Sequence, residues 1–139
     1  MEKIIVYVAW CGSNFGGSLG DNVPGAVVFT APSFEALQKE AKESLIFHVE
    51  GLLADGENVP EWLKNGKYEF VYNYLDATAL LKAYAPYVSL AAISRASGIN
   101  QGLLSHYVNG LKKPREQQRQ RIVAGLHKIG SELESITCI

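Results

Sequence analysis

The chain is organised around residues Val88–Pro114, VSLAAISRASGINQGLLSHYVNGLKKP, which predict two short helices joined by a sharp turn. Ser89 and Asn100 carry side-chain oxygens that can cap the two helix starts by accepting from unpaired backbone N–H groups. Gly98 lies where the chain must turn, and glycine reaches positive φ without steric cost. Apolar or small residues recur at helical spacing on the inner faces, at Leu90, Ile93, Ala96, Leu103, Leu104, Tyr107 and Val108. The stretch therefore predicts a helix-turn-helix.

The outer face of the second predicted helix is polar. It carries Gln101, Ser105, His106 and Asn109, whose side chains donate and accept hydrogen bonds. Reading base edges in the major groove of DNA requires such groups. An ordinary helical hairpin with a solvated polar face is the alternative.

A basic loop follows the second helix directly. Asn109-Gly110 ends the helix, and Lys112, Lys113 and Arg115 come next, where they would contact phosphate. This combination favours DNA binding over a plain hairpin. The expected DNA-binding residues are Ser89, Asn100, Gln101, Ser105, His106, Asn109, Lys112, Lys113 and Arg115.

The stretch resembles the helix-turn-helix of phage repressors. It departs from that family at Ser94 and Ser97, where an apolar residue is usual. We expect the two serines to make the first helix less tightly packed.

Charge is distributed unevenly along the 139 residues. Residues 1–87 hold six lysines against 11 acidic residues, a net charge of −5, and residues 88–139 hold seven basic against three acidic residues, a net charge of +4. An acidic front and a basic back suggest two surfaces with different partners. A hydrophobic fraction of 47% with 19% charged residues indicates a globular chain.

The element pattern changes from mixed to all-helical. β-branched and aromatic runs with Gly and Pro turns predict strands at Lys3–Trp10, Asn14–Leu19, Ala26–Thr30 and Lys67–Tyr74. Helical periodicity predicts a helix capped by Ser33 and running to about Leu53, a helix capped by Asp76 and running to about Ala85, and a helix from about Pro114 to Ile136. The expected inward residues are Phe34, Leu37, Ala41, Leu45, His48 and Leu52 in the first of these helices and Ile122, Leu126, Ile129 and Leu133 in the last. The order predicts an α+β fold. We expect a domain at 1–74, a hinge near Leu75–Ala77 and an all-helical domain at 75–139.

Candidate catalytic and metal-binding groups are few. The Gly-rich segment Cys11–Gly25 lacks the Lys-Ser/Thr and the helix of a phosphate loop, so hairpin turns are expected there. His48 has no nucleophile or paired carboxylate placed with it, and we expect a half-buried histidine with one hydrogen-bond partner. Cys11 and Cys138 lack metal-ligand spacing. No signal segment or membrane span is expected, so the sequence predicts a reduced, cytoplasmic protein without metal or cofactor.

Roughly residues 3–74 resemble the HicB antitoxin family. The resemblance rests on the Gly-rich hairpins, the turn Val23-Pro24-Gly25, the helix start SFEAL at residues 33–37 and the helix end LLADGENVP at residues 52–60. A helix-turn-helix behind such a domain is one of the two DNA-binding ends that this family uses. The usual polar second strand and acidic hairpin residues are reduced here, so the toxin-binding residues stay unassigned.

The resemblance implies a fold and a function. It implies a partial RNase H-like β-β-β-α-β domain in front of the helix-turn-helix domain. It further implies an antitoxin that binds a small basic HicA-like RNA-cleaving toxin and represses its own operon as a homodimer or higher oligomer on duplex operator DNA. The predicted first strand, Lys3–Trp10, contains no carboxylate for two-metal chemistry, so we do not expect an enzyme. A stand-alone transcription regulator with a ligand-sensing front domain is the alternative.

Overall fold

The computed structural model describes all 139 residues, and the chain forms two compact units. The units are Met1–Ala79 and Leu80–Ile139. The first holds a four-stranded sheet with helices and the second holds helices only, so the predicted α+β class is confirmed. The division between the units falls inside a helix, Ala77–Tyr84, which follows the expected hinge near Leu75–Ala77.

The sheet of the first unit is mixed. Its spatial order is β3-β2-β1-β4; β1, β2 and β3 are antiparallel neighbours, and β4 runs parallel to β1. The strands are β1 (Glu2–Trp10), β2 (Phe15–Leu19), β3 (Val28–Ala31) and β4 (Tyr68–Tyr74). β3 begins at Val28, later than the predicted Ala26, because its pairing with β2 starts at Ser18 and Val28.

Helix α1 (Phe34–Ala54) covers one face of the sheet. The Ser33 hydroxyl accepts from the Ala36 N–H at 3.1 Å, which confirms the predicted cap. The buried residues of α1 follow the predicted spacing of three and four and are Phe34, Leu37, Ala41, Leu45 and Val49. His48 is half-buried, as expected, and Val49 beside it is buried. The His48 Nε2 donates to the Pro24 carbonyl oxygen at 2.5 Å, so its predicted hydrogen bond is present.

Aromatic rings line the inner face of β4. Tyr72 and Tyr74 lie 5.2 and 5.8 Å, centroid to centroid, from the ring of Phe34. At the other end, Trp62 meets Tyr68 edge-on at 6.5 Å. Trp62 belongs to a short helix, α2 (Glu61–Lys64), that the sequence did not predict because four residues show no period.

The second unit begins within helix α3 and is built around one apolar cluster. Its helices are α3 (Ala77–Tyr84), α4 (Leu90–Ser97), α5 (Gln101–Val108) and α6 (Glu116–Glu134). The buried cluster consists of Leu81, Ile93, Ile99, Leu104, Tyr107 and Ile122. Leu133, predicted to face inward, is 58% exposed, because α6 continues past the cluster.

Asp76 lies between the sheet and α3. Its Oδ1 accepts from the Ala79 N–H at 2.7 Å, which confirms the predicted cap, and its Oδ2 accepts from the Trp10 N–H at 3.0 Å. One carboxylate thus fixes both the end of β1 and the start of α3.

Candidate nucleic-acid interface

Helix α4 and the turn after it adopt the predicted local structure. The Ser89 hydroxyl caps α4 by accepting from the Ala92 N–H at 3.1 Å. Gly98 ends the helix at φ +73°, and its N–H donates to the Ser94 carbonyl oxygen at 2.9 Å. Only glycine adopts this left-handed conformation readily. Ser89 therefore acts as a cap, and its hydroxyl is engaged in that role.

The two serines that depart from the phage-repressor pattern both bind the turn. The Ser94 hydroxyl donates to the Ile99 carbonyl oxygen at 2.5 Å, and the Ile99 N–H donates to the Ser97 hydroxyl at 3.2 Å. Ile99 itself is 2% exposed. The serines thus satisfy the backbone of a buried turn residue, and the expected loss of packing is offset by these hydrogen bonds.

Helix α5 separates a buried face from a polar one. Leu104 and Tyr107 are buried, whereas Gln101, His106 and Asn109 are exposed as predicted. Ser105 is half-buried, and its hydroxyl accepts a hydrogen bond from the Asn109 Nδ2 at 3.5 Å. The exposed polar side chains on this face are therefore those of Gln101, His106 and Asn109, of which Asn109 donates to Ser105.

Asn100 caps α5. Its Oδ1 accepts from the Gly102 N–H at 2.8 Å and from the Leu103 N–H at 3.4 Å. A Cβ on Gly102 would lie 3.0 Å from the same oxygen, so a side chain there would crowd the cap. Because Gly102 has no side chain, the backbone next to Gln101 at the start of α5 can be approached closely by a partner molecule.

The basic loop follows α5 as predicted. Gly110 turns the chain at φ +71°, and Lys112, Lys113 and Arg115 are all exposed. Arg115 is the residue that precedes α6. These three cations lie within seven residues of the end of α5 and make this end of the helix positively charged.

Arg121 of α6 adds a contact that the sequence did not reveal. Its guanidinium donates to the Ser97 carbonyl oxygen at 3.2 Å and to the Gln118 Oε1 at 2.8 Å. A cation at the last carbonyls of α4 is favoured by the helix dipole. Ser97 and Arg121 are 24 positions apart, so no local pattern could have indicated the pair.

The difference in net charge between the two units is larger than the difference between residues 1–87 and residues 88–139. Residues 1–79 hold five lysines and 11 acidic residues, a net charge of −6, and residues 80–139 hold eight basic and three acidic residues, a net charge of +5. A positive unit attracts phosphate, and the attraction is screened by salt.

The first unit has a shallow groove on the sheet. Its volume is about 470 Å³, and its lining includes Tyr7, Gly16, Val28, Thr30 and Leu75. Cys11, also on the groove, and Cys138 are both free and exposed. No three His, Cys, Asp or Glu side chains are grouped as metal ligands.

Two further findings bear on the chain as a whole. None of its helices combines the length and the apolar character that crossing a bilayer requires. Comparison with protein-family models, with curated proteins and with solved structures found no match to this chain.

Proposed function

We propose that this chain is a cytoplasmic antitoxin and autorepressor. Its helical unit binds duplex operator DNA, and its sheet-containing unit neutralises a small basic HicA-like toxin. The observation that carries the DNA-binding part is helix α5, which buries Leu104 and Tyr107 and exposes Gln101 and His106. That division leaves hydrogen-bonding side chains on a rigid helix face, as recognition of base edges requires.

The proposed interface has two kinds of contact. Gln101, His106 and Asn109 would face base edges, and the exposed Lys112, Lys113 and Arg115 would bind phosphates. Ser89 and Asn100 act as caps that orient α4 and α5, so their part in DNA binding is positional. The α4–α5 pair is a helix-turn-helix in this proposal, with α5 as the recognition helix.

A symmetric homodimer, or a larger assembly containing one, is part of the proposal. Helix α5 has eight residues and is therefore about 12 Å long, which is too short to give tight specific binding alone. Two copies would present two recognition helices about 34 Å apart, one turn of DNA.

The toxin-binding part is supported by the first unit. Its elements run β-β-β-α, then the short α2, then β, which agrees with a partial RNase H-like domain apart from that extra helix. Its net charge of −6 complements a basic RNA-cleaving partner. Neutralisation in this proposal needs no chemistry, only coverage of the toxin's RNA-binding surface.

The groove on the sheet supports a second candidate. Its volume of about 470 Å³ lies in the range of small-molecule sites. A stand-alone regulator would bind a ligand there and regulate DNA binding. Purification with the product of the neighbouring gene separates the two candidates: a stable complex with a short basic protein supports the antitoxin, and its absence favours the regulator.

The DNA-binding proposal is tested on the full chain. Replacing Gln101 or His106 with Ala should cost about 1–3 kcal/mol on the operator and relax base preference. Gln117→Ala and His127→Ala are matched controls, since both residues are exposed on α6. If Gln101→Ala and His106→Ala bind the operator like the parent, α5 is not the recognition helix.

A further inference from the structure

The outer face of α1 carries exposed apolar side chains. Phe47 is 80% exposed, Ile46 is 54% exposed and Leu53 is 46% exposed. Glu43 and Glu50 lie among them, because Glu43, Phe47 and Glu50, and likewise Ile46, Glu50 and Leu53, follow at spacings of four and three on the helix. We name these five residues the Phe47 patch.

The rest of the chain does not cover the Phe47 ring. A Cβ on Gly51, one turn after Phe47, would meet nothing within 4 Å. The buried stripe of α1 lies on the other side of the helix, where Leu45 and Val49 pack inward. A nearly fully exposed phenylalanine beside a residue without a side chain has the shape of an anchor for a partner's pocket.

The charge around the Phe47 patch is negative. After Lys42 the next basic residue in the sequence is Lys64, apart from the inward-facing His48. The stretch between them contains five acidic residues: Glu43, Glu50, Asp55, Glu57 and Glu61. Two lysines lie at the N-terminal border of the patch. Lys39 is 4.0 Å from Glu43 in an exposed pair that contributes little, and Lys42 lies one turn before Ile46. An apolar centre with an acidic rim suits a partner whose pocket has a basic rim.

A second copy of this chain does not fit the patch. In an antiparallel two-fold pairing centred between Ile46 and Phe47, Glu43 of one helix meets Glu50 of the other. In a parallel pairing, each glutamate meets its own counterpart. Both arrangements oppose like charges across an apolar contact, and such contacts are unfavourable.

We infer that the Phe47 patch is the docking surface for the small basic toxin, with Phe47 inserted into an apolar pocket and Glu43 and Glu50 paired with basic side chains around it. This inference rests on the proposed function, because it names the surface through which neutralisation occurs. It assigns toxin binding to a helix face, and the groove on the sheet is not used.

The test measures binding of the full chain to the short basic protein encoded beside its gene, by calorimetry. Phe47→Ala should weaken binding about 10- to 100-fold. Glu43→Lys combined with Glu50→Lys should weaken it at least tenfold and reduce its dependence on salt. Because Glu43, Phe47 and Glu50 are all exposed, the thermal unfolding midpoint of each variant should stay near that of the parent.

Matched controls change the same chemistry elsewhere. Tyr87→Ala removes an aromatic side chain that is 77% exposed in the helical unit, and Glu2→Lys with Glu69→Lys alters net charge equally. These variants should bind within about twofold of the parent.

If the parent binds and Phe47→Ala binds equally well, the docking surface is wrong although the antitoxin function stands. If no basic neighbour exists or the parent does not bind it, the antitoxin function fails as well. A change of oligomeric state in Phe47→Ala, seen by ultracentrifugation, would instead make the patch a contact between copies and overturn the inference.

Discussion

Gly125 of α6 lies directly against Ser97, the last residue of α4. A Cβ on Gly125 would lie 3.0 Å from the Ser97 Cβ and 3.1 Å from its Cα and N. Backbone atoms lie at these distances, so the crowding could not be relieved by a rotamer change. The absence of a side chain at position 125 therefore sets how closely α4 and α6 approach, and with it the position of the turn that leads to α5.

Gly125→Ala should therefore destabilise the helical unit by about 1–3 kcal/mol, because α4 and α6 must separate. Gly130 provides the control on the same helix, since a Cβ there would meet nothing within 4 Å. Gly130→Ala should stabilise the unit by up to about 1 kcal/mol through helix propensity. Urea unfolding of both variants checks the pair, and equal effects in the same direction would contradict it.

The turn at Gly25 depends on His48. A Cβ on Gly25, where φ is +82°, would lie 2.9–3.0 Å from the His48 ring. Gly56 has φ +72° with open space around it, so Gly56→Ala measures the conformational cost alone. We expect Gly25→Ala to lower the free energy of unfolding by more than the roughly 1–2 kcal/mol of Gly56→Ala. The excess should disappear when His48→Ala is present, which a double-mutant cycle measures; additive effects would be inconsistent with the contact.

The basic loop should contribute charge without sequence preference. Replacing any one of Lys112, Lys113 and Arg115 with Ala should weaken binding to all DNA sequences alike and lower the salt slope by about 1. Lys128→Ala is the control, since Lys128 is exposed farther along α6. Fluorescence anisotropy at several salt concentrations gives the slope. Altered base preference with an unchanged slope would show that these residues contact bases.

Tyr68 should lose its phenolic proton at a higher pH than a solvated tyrosine. Its partial burial beside Trp62 raises the pKa of the phenol above its ordinary value of 10.0, because burial disfavours the phenolate. The folded state then holds the proton more tightly than the unfolded chain. The stabilisation is complete below pH 10 and is lost as pH rises through the folded pKa. NMR titration of the Tyr68 ring measures the pKa, and Tyr68→Phe should lose less stability than the parent above pH 10.

The features that the sequence predicted correctly are mainly local. The caps at Ser33, Ser89 and Asn100 and the turn at Gly98 depend on hydrogen bonds or dihedral angles within a few residues. The exposed and buried faces of α5 follow from the helical period. These rules apply before any tertiary contact forms, and so they can be read from the residues.

The features that the sequence did not predict depend on tertiary contacts. Whether Leu133 is covered depends on where the apolar cluster ends, and the bond from Arg121 to Ser97 depends on how two helices pack. The sequence does not distinguish Phe47 from its neighbours, because it lies in the apolar run Leu45-Ile46-Phe47, only one member of which faces the core. The helical wheel of α1 carried that signal, since Phe47 falls on the side opposite Leu45.

The double role of Asp76 limits how genes could recombine. A recombination junction after Tyr74 would separate the Asp76 carboxylate from the Trp10 N–H. A junction after Ala79 would preserve both hydrogen bonds of Asp76 but divide α3. A new helical unit can therefore be joined to this sheet most readily when its first residues continue α3 in helical register. Lineages that exchanged such units should carry the segment from Asp76 to Tyr84 as one inherited block.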